Sequence, residues 1–511
     1  MKGLVAAGHE LTAMAGREVL DRGGNAFDAA LAAALASFAA EPAMTSPGGG
    51  GFLLSVTPSE AELYDFFPDV PGRGRSRTDE AEFFRADVSF SGAVQSFYIG
   101  RGAAAVPGVL KGLAVVHERR CTMELADLAA PAVRYAREGV RLTAGQARFH
   151  EILAPMLTAS DEARAVFAPG GRLLGEGEIL RNPALADTLE RLAAGGLDAF
   201  YGGEFAGRIL DSFGRRGLIT AEDLSDYRVE VRRPLVFSYR DWTVHTNPPP
   251  SSGGCLVALA LKILERFGVA RLAPCGVEAL RLRYETMRMV ERRRGEGGFF
   301  ASLYDGSLPG ADSEAAAMAA AVAAALAGSS VVGGTTHISV VDGLGNAVSI
   351  TTSNGEGCGY MVPATGIMLN NMLGEHDVNP LGFHRQGPGV RLSSMMAPTV
   401  AVGDGRRRIV LGSAGSRRIR SAIVSVLVNM IDHGLAVDRA VGAPRVHLED
   451  GLLHVEGGIE AGVLRELEEL GVPLRRWEGR DLFFGGVNAV SVDERGEARG
   501  AGDPRRGGVC R

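Results

Sequence analysis

Two segments rich in β-branched residues, 335–342 (TTHISVVD) and 346–353 (NAVSITTS), flank the short sequence Gly343-Leu344-Gly345. This pattern reads as a β-hairpin closed by a three-residue loop. Pairing Asp342 with Asn346 fixes every partner along the ladder and sets Thr335 opposite Ser353, to within one residue because such loops often carry a bulge. Directly opposed residues have Cβ atoms about 5 Å apart, so the Ser353 hydroxyl can reach and orient that of Thr335. A threonine hydroxyl is a poor nucleophile until a base lies beside it, and a cut just before Thr335 would supply the residue's own α-amine. The spacer Gly328-Ser-Ser-Val-Val-Gly-Gly334 lies where that cut would fall. Gly333 and Gly334 admit the backbone angles that attack of the Thr335 hydroxyl on the preceding carbonyl requires. Spacing alone also fits two ordinary polar threonines opening a strand, after a plain linker.

Other fragments recur in a fixed order around this hairpin. They begin with Gly16-Arg-Glu-Val-Leu-Asp-Arg-Gly-Gly24-Asn25-Ala26-Phe27-Asp28-Ala29-Ala30, then Glu41-Pro42 and Gly48-Gly49-Gly50-Gly51-Phe52. Val106-Pro107-Gly108, Pro248-Pro249-Pro250-Ser251-Ser252-Gly253-Gly254, Leu369-Asn370-Asn371, Leu392-Ser393-Ser394-Met395 and Asp503-Pro504-Arg505 follow. Together they resemble the γ-glutamyltransferase family of N-terminal-nucleophile hydrolases over most of the chain. The resemblance implies an α+β fold, a four-layer αββα sandwich of two stacked antiparallel sheets flanked by helices. It also implies self-cleavage at Gly334-Thr335 into a large subunit, residues 1–334, and a small catalytic subunit, residues 335–511. The two pieces would stay interlocked in one domain as a heterodimer, with a dimer of such heterodimers as a further option.

The 511 residues exceed the usual size of one hydrophobic core, and 22% charged with 46% hydrophobic residues describes a globular chain. Net charge is −6, and the basic runs Arg292-Arg293-Arg294 and Arg406-Arg407-Arg408 are short and isolated, so no nucleic-acid partner is expected. Five scattered cysteines without a Cys-x-x-Cys pair, and ten histidines without a His-x-x-x-His pattern, call for no disulfide framework, metal site or cofactor. Residues 1–10 leave no room for a signal peptide before the first helix pattern, which predicts a cytoplasmic protein. The Ala-rich stretch 28–40 is too short to span a bilayer and reads as a buried helix.

Helix patterns dominate to about residue 300, as at 109–118, 127–137 and 256–267, and the Ala run 313–327 predicts an outer helix ahead of the cleavage loop. Beyond the hairpin, strands are expected at 366–370, 397–403, 408–412 and 487–493, with helices at 418–433 and 459–470. The turn Gly412-Ser413-Ala414-Gly415-Ser416 would present backbone N–H groups at a helix head, suited to an oxyanion, although a strand-to-helix turn needs glycine for its angles in any case. By resemblance, Gly415 and the following residue supply the donors, the second position here being Ser416 where the family has glycine.

The carboxylate-binding arginine of glutathione-hydrolysing members falls on Phe67 within Tyr64-Asp65-Phe66-Phe67. Ser393 and Ser394 match the serine pair that helps hold the same carboxylate. For the α-amino group Asn354 matches, while Met372 stands for a glutamine and Glu375 for an aspartate. Exchanging a bidentate arginine for a phenyl ring changes the preferred acyl group, unless Arg73, Arg75 or Arg391 compensates. The connection 372–391 is shorter than a lid-bearing one, predicting an open site that favours water over an acceptor amine, and its His376 and His384 could touch substrate or simply face solvent.

The resulting expectation is a self-processing N-terminal-threonine hydrolase or acyltransferase. Its substrate would be an amide of a carboxylate-bearing acyl group, γ-glutamyl or a relative such as oxalyl or glutaryl. Two alternatives stand: a biosynthetic hydrolase cleaving a C–C bond in a natural-product pathway, and an uncleaved, inactive binding relative.

Overall fold

The computed structural model describes residues 3–74, 80–90, 93–296, 298–305, 312, 318, 335–449 and 451–511. Gly334, Arg75 and most of the Ala run 313–327 lie outside the described residues. Two antiparallel sheets form the centre. One runs in the order Val509–Cys510, Leu4–Ala7, Thr336–Val341, Ala347–Ser353, Gly50–Val56, Ala61–Phe66, Glu230–Arg232. The other runs Ala498–Ala501, Gly486–Val492, Arg408–Ala414, Thr399–Val402, Trp242–Thr246, Leu235–Tyr239. Helices Glu10–Asp21 and Ala26–Ala40 cover the first sheet, and Ser252–Leu264 and Arg418–Ile431 cover the second, which gives the four expected αββα layers.

The alternation of strand side chains distributes these layers. Ile338, Val340, Val348 and Ile350 pack with the helix Ala26–Ala40, all of whose residues are buried. Small side chains let that helix lie close to the sheet, and Asn25 and Asp28 close its head in a capping box. The opposite face of the same hairpin is polar. His337 lies between the sheets, its Nδ1 2.8 Å from Thr351 Oγ1 and its Nε2 2.9 Å from Ser339 Oγ, and burial lowers its pKa to about 3.

The observed pairs Thr336↔Thr352 through Val341↔Ala347 follow the register read from the loop, with no bulge. Asp342 fixes that register: its carboxylate accepts from the Leu344 and Asn346 N–H groups (2.9 and 3.0 Å), and its other oxygen accepts from Ala26 N–H at the buried helix's head (2.9 Å).

Helix dominates before residue 300 as expected, and both sheets also draw strands from that region. Gly50–Val56 is buried on both faces, so it lacks the alternation that marks a half-exposed strand, and Leu4–Ala7 precedes the first helix. Each sheet therefore contains strands from both before and after residue 335. No described helix is long and apolar enough to cross a membrane.

Gly412 belongs to the strand Arg408–Ala414, and its role is packing rather than catalysis: a Cβ there would lie 2.4 Å from His337 Cε1. Gly412→Ala is expected to destabilise the fold by about 1–3 kcal/mol through overpacking. Urea denaturation measures this, and an unchanged midpoint would show that the ring can move aside.

Candidate active site

A cleft opens where the polar seam between the sheets reaches the N-terminal end of the strand Thr336–Val341. Phe67, Thr335, Ser353, Met372, Glu375, Asp377, Val378, Ser394, Met395, Met396, Ser416 and Ile419 line it. Thr335 and Ser353 extend the observed pairing by one step, and both are buried. Glycines make this corner possible, since a Cβ at Gly49 or Gly51 would strike the Ser353 or Thr351 carbonyl oxygen at 2.3 and 2.2 Å.

Ser394 is held from below by the turn that follows the three prolines. Ser252 and Gly253 N–H groups and the Ser251 and Ser252 hydroxyls all donate to its carbonyl, and its own hydroxyl accepts from Met396 N–H at 3.1 Å. The glycines of that turn lie inside the helix Ser252–Leu264 because the neighbouring Met395 and Asn247 backbones leave no room for a Cβ.

Ser416 stands at the head of the helix Arg418–Ile431, its carbonyl accepting from Ile419 N–H. Its φ of 50° is in the left-handed region that glycine adopts freely and serine does not. A hydrogen bond offsets that strain, with Ser416 Oγ donating to Asp377 Oδ2 at 2.8 Å. Burial would raise the Asp377 carboxyl, but Arg417 (2.5 Å) and Arg294 (3.4 Å) hold it below the ordinary carboxylate range. Asp377 and its two arginines escaped the sequence reading, since only folding joins 294, 377 and 417.

Asn354, Ser393 and Gly415 stand beside the cleft rather than on its lining. Asn354 Nδ2 reaches the Leu369 carbonyl at 3.4 Å, while its Oδ1 and the Ser393 hydroxyl are buried without hydrogen-bond partners. Gly415 sits where a Cβ would meet Gly485 Cα at 2.9 Å. Phe67 is the expected apolar wall, stacked on Phe52 at 5.3 Å. Arg391 does not replace the missing arginine: it binds Asp65 and Asp69 at 2.7 Å each and donates to the Arg228 carbonyl. Arg73 faces Asp69 and Asp223 at 3.8 and 3.5 Å. No described cationic side chain lines the cleft.

The connection 372–391 lends Met372, Glu375, Asp377 and Val378 to the cleft lining. Met372 and Val378 turn into the core, Asn379 Nδ2 donates to the Met372 and Glu375 carbonyls, and Thr335 is 3% exposed. The space at the centre of the cleft is about 20 Å³, enough for about one water. His376 and His384 pack with Phe383 and Phe83 at 4.6 Å each, outside the lining.

Removing the Ser416 hydroxyl is expected to cost about 1–3 kcal/mol in Ser416→Ala, because a charged buried acceptor loses its partner. Ser416→Gly should cost less, since glycine accepts the left-handed backbone. Equal losses on thermal melting would show that the serine backbone is unstrained.

Comparison with known proteins agrees with this architecture. The family model described as Gamma-glutamyltranspeptidase matches residues 12–510. The Acylase ACY 1 proenzyme of Pseudomonas sp. (strain V22) is 33% identical over 531 residues, 98% of this chain and 91% of that protein. The Glutathione hydrolase proenzyme of Bacillus subtilis (strain 168) is 30% identical over 549 residues, covering 99% and 91%. The crystal structure of cephalosporin acylase from Bacillus halodurans superposes with a TM-score of 0.82 at 26% identity, covering 100% of this chain and 95% of that one. With its fold, motif order and family match in agreement, the chain belongs to the gamma-glutamyltranspeptidase family of N-terminal-nucleophile hydrolases.

Proposed function

We propose that this protein is a self-processing amide hydrolase of the acylase type, with Thr335 as nucleophile and a carboxylate-bearing acyl group as substrate. The observation that carries the reading is the convergence of Thr335, Ser353, Ser394 and Ser416 on one cleft walled by Phe67 and lacking any described cation. An arginine grip on an amino-acid head group is therefore absent from the described lining. Hydroxyls are then left to hold the acyl carboxylate, of γ-glutamyl or a relative such as glutaryl or oxalyl.

In the proposed cycle, the chain breaks at Gly334-Thr335, leaving residues 1–334 and 335–511 interlocked. The freed α-amine of Thr335 takes the proton of its own hydroxyl as Oγ attacks the acyl carbonyl. Ser353, opposite in the ladder, orients the hydroxyl, and the N–H groups of Gly415 and Ser416 receive the oxyanion at the helix head; collapse of that adduct breaks the amide C–N bond as the α-ammonium gives its proton to the leaving amine. Ser393 and Ser394 bind the acyl carboxylate, and Asn354 helps to orient the substrate. Water then attacks the acyl-enzyme and releases the acyl group as the free acid, hydrolysis being favoured over transfer. The names of the relatives, an acylase proenzyme and a glutathione hydrolase proenzyme, support both the amide chemistry and the processing.

Purified protein is expected to run as two bands, the smaller beginning at Thr335, whereas Thr335→Ala remains a single inactive chain. N-terminal sequencing of the smaller band checks this. Any other first residue removes Thr335 as the nucleophile.

A further inference from the structure

Behind the turn at Gly415 stands a cation that makes no ion pair among the described residues. Arg506 is half-buried, and its Nε and Nη1 have neither solvent nor a hydrogen-bond partner. Its Nη2 donates to the Leu482 carbonyl at 3.2 Å, and the guanidinium lies over the Phe149 ring at 5.7 Å. The nearby carboxylates are engaged elsewhere. Asp503 binds Arg445 and Arg505 at 2.6 and 3.2 Å, and Asp481 accepts from Phe483 N–H at 2.8 Å. Glu41, across the same small cavity, accepts from the Thr12 and Thr336 hydroxyls.

Two glycines let the guanidinium into this place. A Cβ at Gly486 would lie 2.6 Å from Arg506 Cδ, and one at Gly415 would lie 3.4 Å from Nη2. Gly415 has a φ of 116°, so the turn bends as glycine allows and leaves its back open to the charge. Burial, with Arg418 adding to it, lowers the Arg506 pKa to about 10, which keeps the group charged at neutral pH. A cation shielded from water without a counter-ion destabilises the fold that holds it. On the other side of this turn, the proposed reaction creates a negative charge that the resting protein does not contain.

We propose that Arg506 is a positioning residue of the oxyanion turn: its charge, held unpaired behind Gly415, stabilises the negative oxygen of the tetrahedral adduct through the intervening backbone. The proposal rests on the reading of Thr335 as nucleophile and of the Gly415 and Ser416 N–H groups as oxyanion donors. Arg506 touches no substrate, since it lies outside the cleft lining. A neutral acyl carbonyl gains little from the charge and an oxyanion gains much, so the effect belongs to kcat rather than KM.

Glutaryl-p-nitroanilide or γ-glutamyl-p-nitroanilide, whichever is turned over faster, tests this. Arg506→Met is expected to lower kcat by about 30-fold and to leave KM within about twofold. Arg506→Gln should lose about as much, whereas Arg506→Lys, which keeps the charge, should lose about threefold or less. The melting temperature of Arg506→Met should equal or exceed that of the natural protein, because an unpaired charge gives way to a side chain that packs. A purely structural arginine would do the reverse. A lower melting temperature with kcat lost alongside it therefore overturns the proposal, as does an unchanged kcat.

The charge is also read without turnover. 4-Boronobutyrate, in which boron stands for the glutaryl carbonyl carbon, becomes a tetrahedral anion when Thr335 Oγ adds to it. Titration calorimetry should give Arg506→Met an affinity about 30-fold below that of the natural protein. Equal affinities, or no tetrahedral boron NMR signal from the natural protein, overturn the proposal, and if neither anilide reacts this result alone decides. Anilide turnover surviving in Thr335→Ala would remove the nucleophile assignment, and this proposal with it. An inactive Thr335→Ala beside a fully active Arg506→Met removes only the role of Arg506.

Discussion

The two sheets meet at the active-site end through the His337 ring seated on Gly412, and the spacing of the functional groups follows from that contact. With no side chain on Gly412, the second sheet approaches until the ring touches its backbone. The ring can remain there because it is neutral and bonded at both nitrogens to hydroxyls of its own sheet. Asn488 on the second sheet donates to the His337 carbonyl at 2.7 Å, closing the seam from the other side. Thr335 on one sheet and the helix head at Ser416 beyond the other are thereby held across a fixed gap. The histidine of Thr335-Thr336-His337 is thus a spacer and not an acid or base.

Around that gap, buried charge is handled in two different ways. Asp377 is neutralised by two arginines and spends an oxygen on Ser416, which stiffens the helix head. Behind the strand Thr336–Val341, Glu41 accepts from Thr12 and Thr336 hydroxyls at 2.7 and 2.6 Å, and burial still keeps its carboxyl above the ordinary range. Preorganised groups of this kind need not reorganise when charge develops on a substrate. Three methionines line the same cleft, and their flexible side chains provide the adjustable part of an otherwise rigid wall.

What could be read in the sequence was local. The pairing of Thr336 with Thr352 followed from a three-residue loop because Asp342 closes that loop with its own side chain, a short-range rule. Phe67 on the cleft wall, and Thr335, Ser353, Glu375, Ser394 and Ser416 with it, followed from motif order. What could not be read depended on distant partners. Arg391 looked available until the fold brought Asp65 and Asp69 to it. Ser416 stood where the family has glycine, and its hydroxyl had no visible partner until the fold brought Asp377 to it. The strand Gly50–Val56 carried no period because both of its faces are covered.

The placement of the strand Leu4–Ala7 carries a consequence for biosynthesis. It pairs on one side with Thr336–Val341 and on the other with Val509–Cys510, so its partners leave the ribosome long after it does. Sheets joined through contacts so remote in sequence form late, since the loop between the partners must close first. The nascent strand Leu4–Ala7 therefore waits with its edges unsatisfied until the rest of the chain arrives. The proposed scission ahead of Thr335 would then follow assembly, with the uncut peptide as the tether that brings the two pieces together in equal number.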